Sequence, residues 1–235
     1  MAFAVVPAFN EKHRIQDTVR ALLGLPSIEG VLVVDDGSKD GTAAAVASLE
    51  NPRVMFSRTR TNKGKGAALN HGMNLLLGRD IDIFVFCDAD LGTTACEAQR
   101  LIEPIAAGHA DLATAIFPPD GGRGFGMVVR LARWGIKRAT GQVVRAPLSG
   151  QRAFTAPVWE AVGPCVRGFG VETVFTAKAL KAGFRLQEVE TAMQHRVTGM
   201  SPAHIRHRAR QMWDVFLGLL RLFLCTRGKV RSHDG

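Results

Sequence analysis

The first half of the chain alternates short apolar runs with segments of helical period. Runs near 2–6, 30–35, 53–57, 82–87 and 111–115 predict strands, and the stretches near 12–23, 41–49, 65–77, 94–107 and 124–139 predict helices. Such alternation is the pattern of a parallel sheet covered by helices on both faces. Thr94-Ala95-Cys96-Glu97 reads as a capping box that starts the fourth helix just beyond an acidic pair, Asp88 and Asp90. After about residue 116 the regularity fades. Pro118 to Gly124 reads as a loop, followed by a strand near 150–155, a helix near 171–182, a strand near 184–190 and a long helical segment at roughly 202–225. No repeat, low-complexity tract or linker interrupts the chain, so one domain spanning 1–235 is expected.

At 235 residues, 46% hydrophobic and 22% charged, the chain can bury a substantial core and reads as soluble and globular. Its net charge of +9 calls for an anionic partner, whether nucleotide, phosphorylated acceptor, nucleic acid or acidic membrane surface. Cys87, Cys96, Cys165 and Cys225 form no Cys-x-x-Cys pair, which argues against a zinc cluster or disulfide scaffold and fits a reducing cytosol. The chain opens on the strand-like Ala2 to Val6 without a basic leader, and no apolar run reaches the roughly 18 to 20 residues that span a bilayer. A cytoplasmic location is expected.

In open parallel sheets, ligands bind beyond the carboxyl ends of the strands. After the first strand comes Pro7-Ala8-Phe9-Asn10-Glu11; after the second, Asp35-Asp36-Gly37-Ser38-Lys39-Asp40-Gly41-Thr42; after the fourth, Cys87-Asp88-Ala89-Asp90. An Asp-x-Asp pair is common at turns and helix caps, yet it is also a start on a site for a hard divalent cation, which takes oxygen ligands and shares them with substrate phosphates.

Taken together, VVPAFNE, VVDDGSKDGT, NKGKGAALNHG and FCDAD, in that order, resemble the nucleotide-sugar-binding half of a GT-A glycosyltransferase, most like family 2, over roughly residues 1–115. The resemblance implies an α/β GT-A fold, a mainly parallel Rossmann-like sheet flanked by helices with a small C-terminal acceptor-side subregion. Residues 1–115 would then bind the nucleotide sugar, 116–200 the acceptor, and 201–235 would form a helix and basic tail. It also implies metal-dependent transfer of a sugar from a nucleoside diphosphate sugar, UDP foremost, to an unidentified acceptor, a phosphorylated or lipid-linked one among them.

In that family pattern Pro7, Ala8, Asn10 and Glu11 line the nucleotide pocket, and Asp36 accepts a hydrogen bond from the base, as an acceptor-only carboxylate can from an imide N–H. Lys65 meets phosphate or base oxygens beside small residues that permit close approach, although no Walker A motif is present. Asp90 chelates Mn²⁺ or Mg²⁺, and Asp88, with Ala89 beside it, reaches the ribose or a metal-bound water. The order of PLSGQRAF at 147–154, GFGVETVF at 168–175 and His195 is similar to that in glucosyl-3-phosphoglycerate synthases. This similarity makes His195 a further metal ligand, a set that suits Mn²⁺ better than Mg²⁺. It makes Glu172 the carboxylate that activates the acceptor, against the alternative of a favourable charge at a helix N-terminus. The chain is shorter than those enzymes and has Phe125 near where they carry a threonine that helps hold the acid acceptor, which argues against phosphoglycerate. Arg123 is open to an acceptor phosphate or to solvent.

Two segments, Met127 to Arg138 and Ile205 to Leu224, mix cationic and apolar positions at helical spacing. An anionic membrane face, a homodimer contact and ordinary core packing all remain open for them. His204 and His207 lack companions for a metal site. A sugar-phosphate nucleotidyltransferase would carry a Gly-rich, Arg-containing loop after the first strand, and a dehydrogenase Gly-x-Gly-x-x-Gly; Pro7 to Glu11 is neither. A nucleic-acid-binding module lacks support, because the chain has no tyrosine and no aromatic stacking platform.

Overall fold

The computed structural model describes residues 1–118, 126–165 and 170–194. Seven strands form one sheet: β1 (Ala2–Ala8), β2 (Ile28–Asp35), β3 (Val54–Arg58), β4 (Ile83–Phe86), β5 (Leu112–Ile116), β6 (Arg152–Thr155) and β7 (Leu186–Glu190). Their order is β3-β2-β1-β4-β6-β5-β7. The pairings β1 with β2, β1 with β4, β2 with β3 and β5 with β7 are parallel, and β6 lies antiparallel between β4 and β5. The expected α/β class with a mainly parallel sheet holds, and each strand lies within two residues of its expected bounds.

The helices are α1 (Ile15–Leu23), α2 (Thr42–Ala47), α3 (Lys65–Leu76), α4 (Gln99–Ala106), α5 (Gly126–Thr140), α6 (Ala156–Val162) and α7 (Val171–Lys181). Strands β1 and β2 are buried on both faces, which is why they read as continuous apolar runs rather than alternating ones. Ile15, Val19 and Leu22 of α1 and Leu101, Ile102 and Ile105 of α4 cover one face. Leu69, Met73 and Leu76 of α3, with Val158 of α6 and Phe175 of α7, cover the other. Helix α3 lies close because Gly72 faces the sheet: a Cβ there would stand 2.8 Å from Val5 Cγ1 and 3.0 Å from Val34 Cγ2.

Two expectations are corrected, and one element was missed. The helix expected from 12 starts at Ile15; residues 12–14 form a turn in which the N–H groups of Arg14 and Ile15 both donate to the Glu11 carbonyl. The capping box at Thr94 does not close. Residues Gly92–Ala98 form a 3-10 helix, Thr94 Oγ1 donates to the Leu91 carbonyl, and Glu97 instead accepts the N–H of Ala192 beyond β7. Helix α6 was not expected; its start signal, Thr155 followed by Pro157 in the first turn, is short and stands inside an apolar run. Arg123, Phe125, His195, His204, His207, Cys225 and the segment 202–225 lie outside the described residues. Among the described residues no helix is long and apolar enough to cross a membrane.

The winding direction reverses at β1, since β2 and β3 lie to one side and β4 to the other. A crevice opens at the carboxyl edge of such a switch point. Because β6 runs against its neighbours, its beginning, not its end, reaches the same edge.

Candidate active site

The carboxyl ends of β1, β2 and β4, the start of β6 and the first turns of α3 and α7 surround one cavity of about 450 Å³. Its wall includes Pro7, Ala8, Glu11, Asp36, Lys65, Asp88, Ala89, Asp90 and Glu172. Nine of the eleven expected site residues therefore meet in one place. Asn10 is not in that wall. Its backbone adopts a φ of 58°, its side-chain oxygen accepts the Lys39 N–H at 3.0 Å, and its own N–H donates to Ser38 Oγ at 2.9 Å. It clasps the turn after β1 to the turn after β2, a left-handed position that Asn tolerates better than most residues. His195 is the eleventh and falls outside the described residues.

Lys65 is the electrostatic centre. Its Nζ lies 2.6 Å from Asp88 Oδ1 and 3.1 Å from Glu172 Oε1. Burial opposes the lysine charge, but the two carboxylates outweigh it and hold the ammonium above its ordinary value. The approach depends on Gly150, where a Cβ would stand 2.3 Å from Lys65 Nζ and 3.0 Å from Asp88 Oδ2.

Asp88 is further held by Gln151, which is fully buried. The β4 and β6 register, with Phe86 opposite Arg152, carries Gln151 onward to the carboxylate. Behind the acidic loop, the buried Thr18 of α1 donates to the Ala89 carbonyl at 2.8 Å and accepts the Gly92 N–H, and Arg14 donates to the Asp90 carbonyl at 3.0 Å. Helix α1 and the residue before it thus bind the backbone of Ala89, Asp90 and Gly92, while Asp88 and Asp90 both line the cavity.

The two aspartates after β2 divide their work. Asp35 is fully buried, accepts the Ser38 N–H at 2.8 Å and lies 3.1 Å from Arg58 Nε, a turn and ion-pair role. Asp36 reaches the cavity, but its oxygens already accept the N–H groups of Lys63 and Gly64 and the hydroxyl of Thr59. It therefore ties down the loop before α3, and a base N–H would be an additional bond.

Sequence reasoning missed Gly150, Gln151 and Arg152, although all three stand in the quoted PLSGQRAF segment. Arg152 is 2% exposed, donates to the carbonyls of Ser149 and Glu172 and lies 5.0 Å from the centroid of the Phe175 ring. Burial lowers its pKa, opposed by the charge of Glu172. The available signal was a Gln-Arg pair at the head of an apolar strand, since buried polar side chains need partners.

Among the described residues no three His, Cys, Asp or Glu side chains gather as a closed metal cage. Asp88 and Asp90 nonetheless both line one cavity. That donor set fits Mg²⁺ or Mn²⁺, which keeps water and takes one or two carboxylates plus substrate phosphates.

The sequence pattern described as Glycosyl transferase family 2 matches residues 3–152, and the chain belongs to that family. The polyprenol monophosphomannose synthase of Mycolicibacterium smegmatis is 30% identical over 84% of this chain and 78% of its own. The UDP-N-acetylglucosamine–dolichyl-phosphate N-acetylglucosaminyltransferase of Methanococcus voltae is 24% identical over 98% of both chains. Glucosyl-3-phosphoglycerate synthase from Mycobacterium tuberculosis, solved in complex with Mg²⁺ and UDP, shares the GT-A fold with a TM-score of 0.76 and 24% identity over 94% of this chain and 79% of that one.

Proposed function

We propose that this glycosyltransferase moves a hexosyl group from a UDP-sugar, with Mn²⁺ or Mg²⁺ held by Asp90 and Asp88, to the phosphate of a lipid-linked acceptor. The observation that carries the proposal is the Lys65 ammonium bridging Asp88 and Glu172 in the wall of one cavity. The names of the Mycolicibacterium and Methanococcus relatives indicate polyprenyl or dolichyl phosphate acceptors. The Mycobacterium tuberculosis enzyme has also been solved with UDP, Mn²⁺ and phosphoglyceric acid, so a phosphorylated acceptor is common to all three. The family match sets aside the nucleotidyltransferase and non-catalytic readings.

When bound, the ion would neutralise charge developing on the departing nucleoside diphosphate. The remaining work belongs to the chain. Lys65 brings a second positive charge to the diphosphate, Glu11 and the Pro7-Ala8 edge shape the nucleotide side, and Ala89 leaves room beside the ribose. His195 is proposed as a further metal ligand. A phosphomonoester is largely dianionic near neutral pH and has no proton to lose. Against such an acceptor Glu172 serves to hold Lys65, whereas a hydroxyl acceptor would need it as general base. Glu172→Gln therefore separates the two acceptor classes, because only a hydroxyl acceptor loses its base. In this reading the chain acts as one unit at the cytoplasmic face of a membrane, with the donor bound by 1–115, the acceptor by 116–200, and 201–235 as a helix and basic tail.

The test is thermal stabilisation by a panel of nucleoside diphosphate sugars with Mn²⁺ or Mg²⁺, for wild type and Asp90→Ala. A ligand at ~100 times its dissociation constant adds about 2.7 kcal/mol. Absence of stabilisation by every nucleotide sugar defeats the proposal. Stabilisation that survives Asp90→Ala unchanged defeats the metal assignment alone.

A further inference from the structure

We infer that the outward face of α5 docks the enzyme on an anionic bilayer, an inference that rests on the lipid-linked acceptor reading. Met127 and Trp134 are 72% and 59% exposed and stand two helical turns apart, hence on one line along the helix. Arg130, Lys137 and Arg138 are exposed beside that line, and residues 126–140 contain no Asp or Glu. Val143, just past the helix end, is 70% exposed. Single exposed apolar side chains are ordinary on protein surfaces. Two large ones aligned among cations, with no acidic residue between them, form the pattern of a helix lying in a lipid headgroup layer, where Trp is favoured.

The opposite face of the same helix belongs to the reaction chamber. Val128 and Ala132 are buried against Leu148, and Val128 and Leu148 both reach the cavity wall. One helix, roughly 10 Å across, therefore separates the chamber from this surface. A phosphate carried on a lipid sits at the bilayer surface, so an enzyme resting on α5 holds its chamber within a helix width of that phosphate.

Charge selects the occupant. Each basic residue near an anionic leaflet contributes about fivefold to partitioning, so the three flanking cations supply on the order of a hundredfold. The net charge of +9 adds long-range attraction. A second copy is disfavoured, because a two-fold contact through this face sets Arg130, Lys137 and Arg138 against themselves.

The test is flotation of the full chain with phosphatidylcholine vesicles, with and without phosphatidylglycerol, alongside light scattering of the free protein. Wild type should bind the anionic vesicles and bind neutral ones far more weakly. Arg130→Gln/Lys137→Gln/Arg138→Gln should lose on the order of a hundredfold in anionic binding. Met127→Glu/Trp134→Glu should lose binding while keeping its stabilisation by UDP-sugar and Mn²⁺. The inference is overturned by a wild type that ignores anionic vesicles, by variants that bind as wild type does, or by variants whose measurable change is dissociation of a dimer. Failure of the donor reading shows separately, as vesicle binding that depends on α5 in a chain that no nucleotide sugar stabilises.

Discussion

Gln151 grips Asp88 at two points: its Oε1 accepts the Asp88 backbone N–H at 2.8 Å, and its Nε2 donates to Asp88 Oδ2 at 2.6 Å. With Lys65 on the other oxygen, the carboxylate has little freedom to rotate. Asp88 is thus presented in a set orientation before any ligand arrives, which lowers the ordering cost of binding.

Gln151→Leu should destabilise the fold by about 1–3 kcal/mol, because it leaves the part-buried Asp88 N–H without its acceptor. Gln151→Glu should weaken donor binding more than Gln151→Leu does, since it sets a second carboxylate against the first. Urea denaturation and titration with UDP-sugar measure the two effects. A Gln151→Glu enzyme with wild-type donor affinity would show that the grip on Asp88 is irrelevant to binding.

Gly150→Ala should spare the fold and damage the site. The new methyl meets the mobile end of Lys65 first, so the lysine swings away and its ion pair with Asp88 breaks. Turnover should fall by roughly tenfold or more, given how steeply rates depend on placement within an ångström, while the melting temperature shifts little. Equal losses of stability and activity would contradict this account.

Lys65→Met should abolish most transfer, leaving Asp88 and Glu172 in one cavity without the shared cation. The lysine pKa is raised in the folded state, so its contribution to stability is complete below the unfolded value, about 10.4, and disappears as pH rises through the higher folded value. Denaturation midpoints of wild type and Lys65→Met should therefore run parallel between about pH 6 and 9 and converge only in strong alkali. Convergence near neutral pH would mean that Lys65 is uncharged in the folded protein.

Thiol reagents should distinguish the cysteines. Cys96 is exposed, whereas Cys87 and Cys165 are buried; burial pushes the Cys165 thiol up to about 12 and Cys87 higher still. Brief alkylation near pH 8 followed by peptide mass spectrometry should find Cys96 modified and Cys87 and Cys165 intact, because the thiolate is the reactive form. Early labelling of Cys87 would indicate that the β4 end opens readily.

What the chain discloses by itself follows from how local each cause is. Strands β1 and β4 are legible because their apolar runs end abruptly in polar residues that mark the sheet edge. Thr94 and Glu97 have the spacing of a cap, but Glu97 found its partner in Ala192, almost a hundred residues away, and tertiary contact overrode the local pattern. Asn10 stands among residues that line the cavity, yet its positive φ turns it toward Lys39, a backbone property its neighbours do not reveal. Gln151 and Gly150 stayed hidden because their importance arises from pairing with β4, which periodicity within a four-residue strand does not encode.

The late place of β6 in the chain also governs when the cavity can come into being. A chain leaving the ribosome from its N-terminus can pair β3, β2, β1 and β4 once the first ninety or so residues have emerged, because domains condense as their segments appear. Asp88 at that stage has neither Gln151 nor the gap at Gly150, and Glu172 is further behind. Nascent or truncated chains would then carry the nucleotide-binding signature without a finished chamber, and competence to handle an activated sugar would arrive only when the last elements dock.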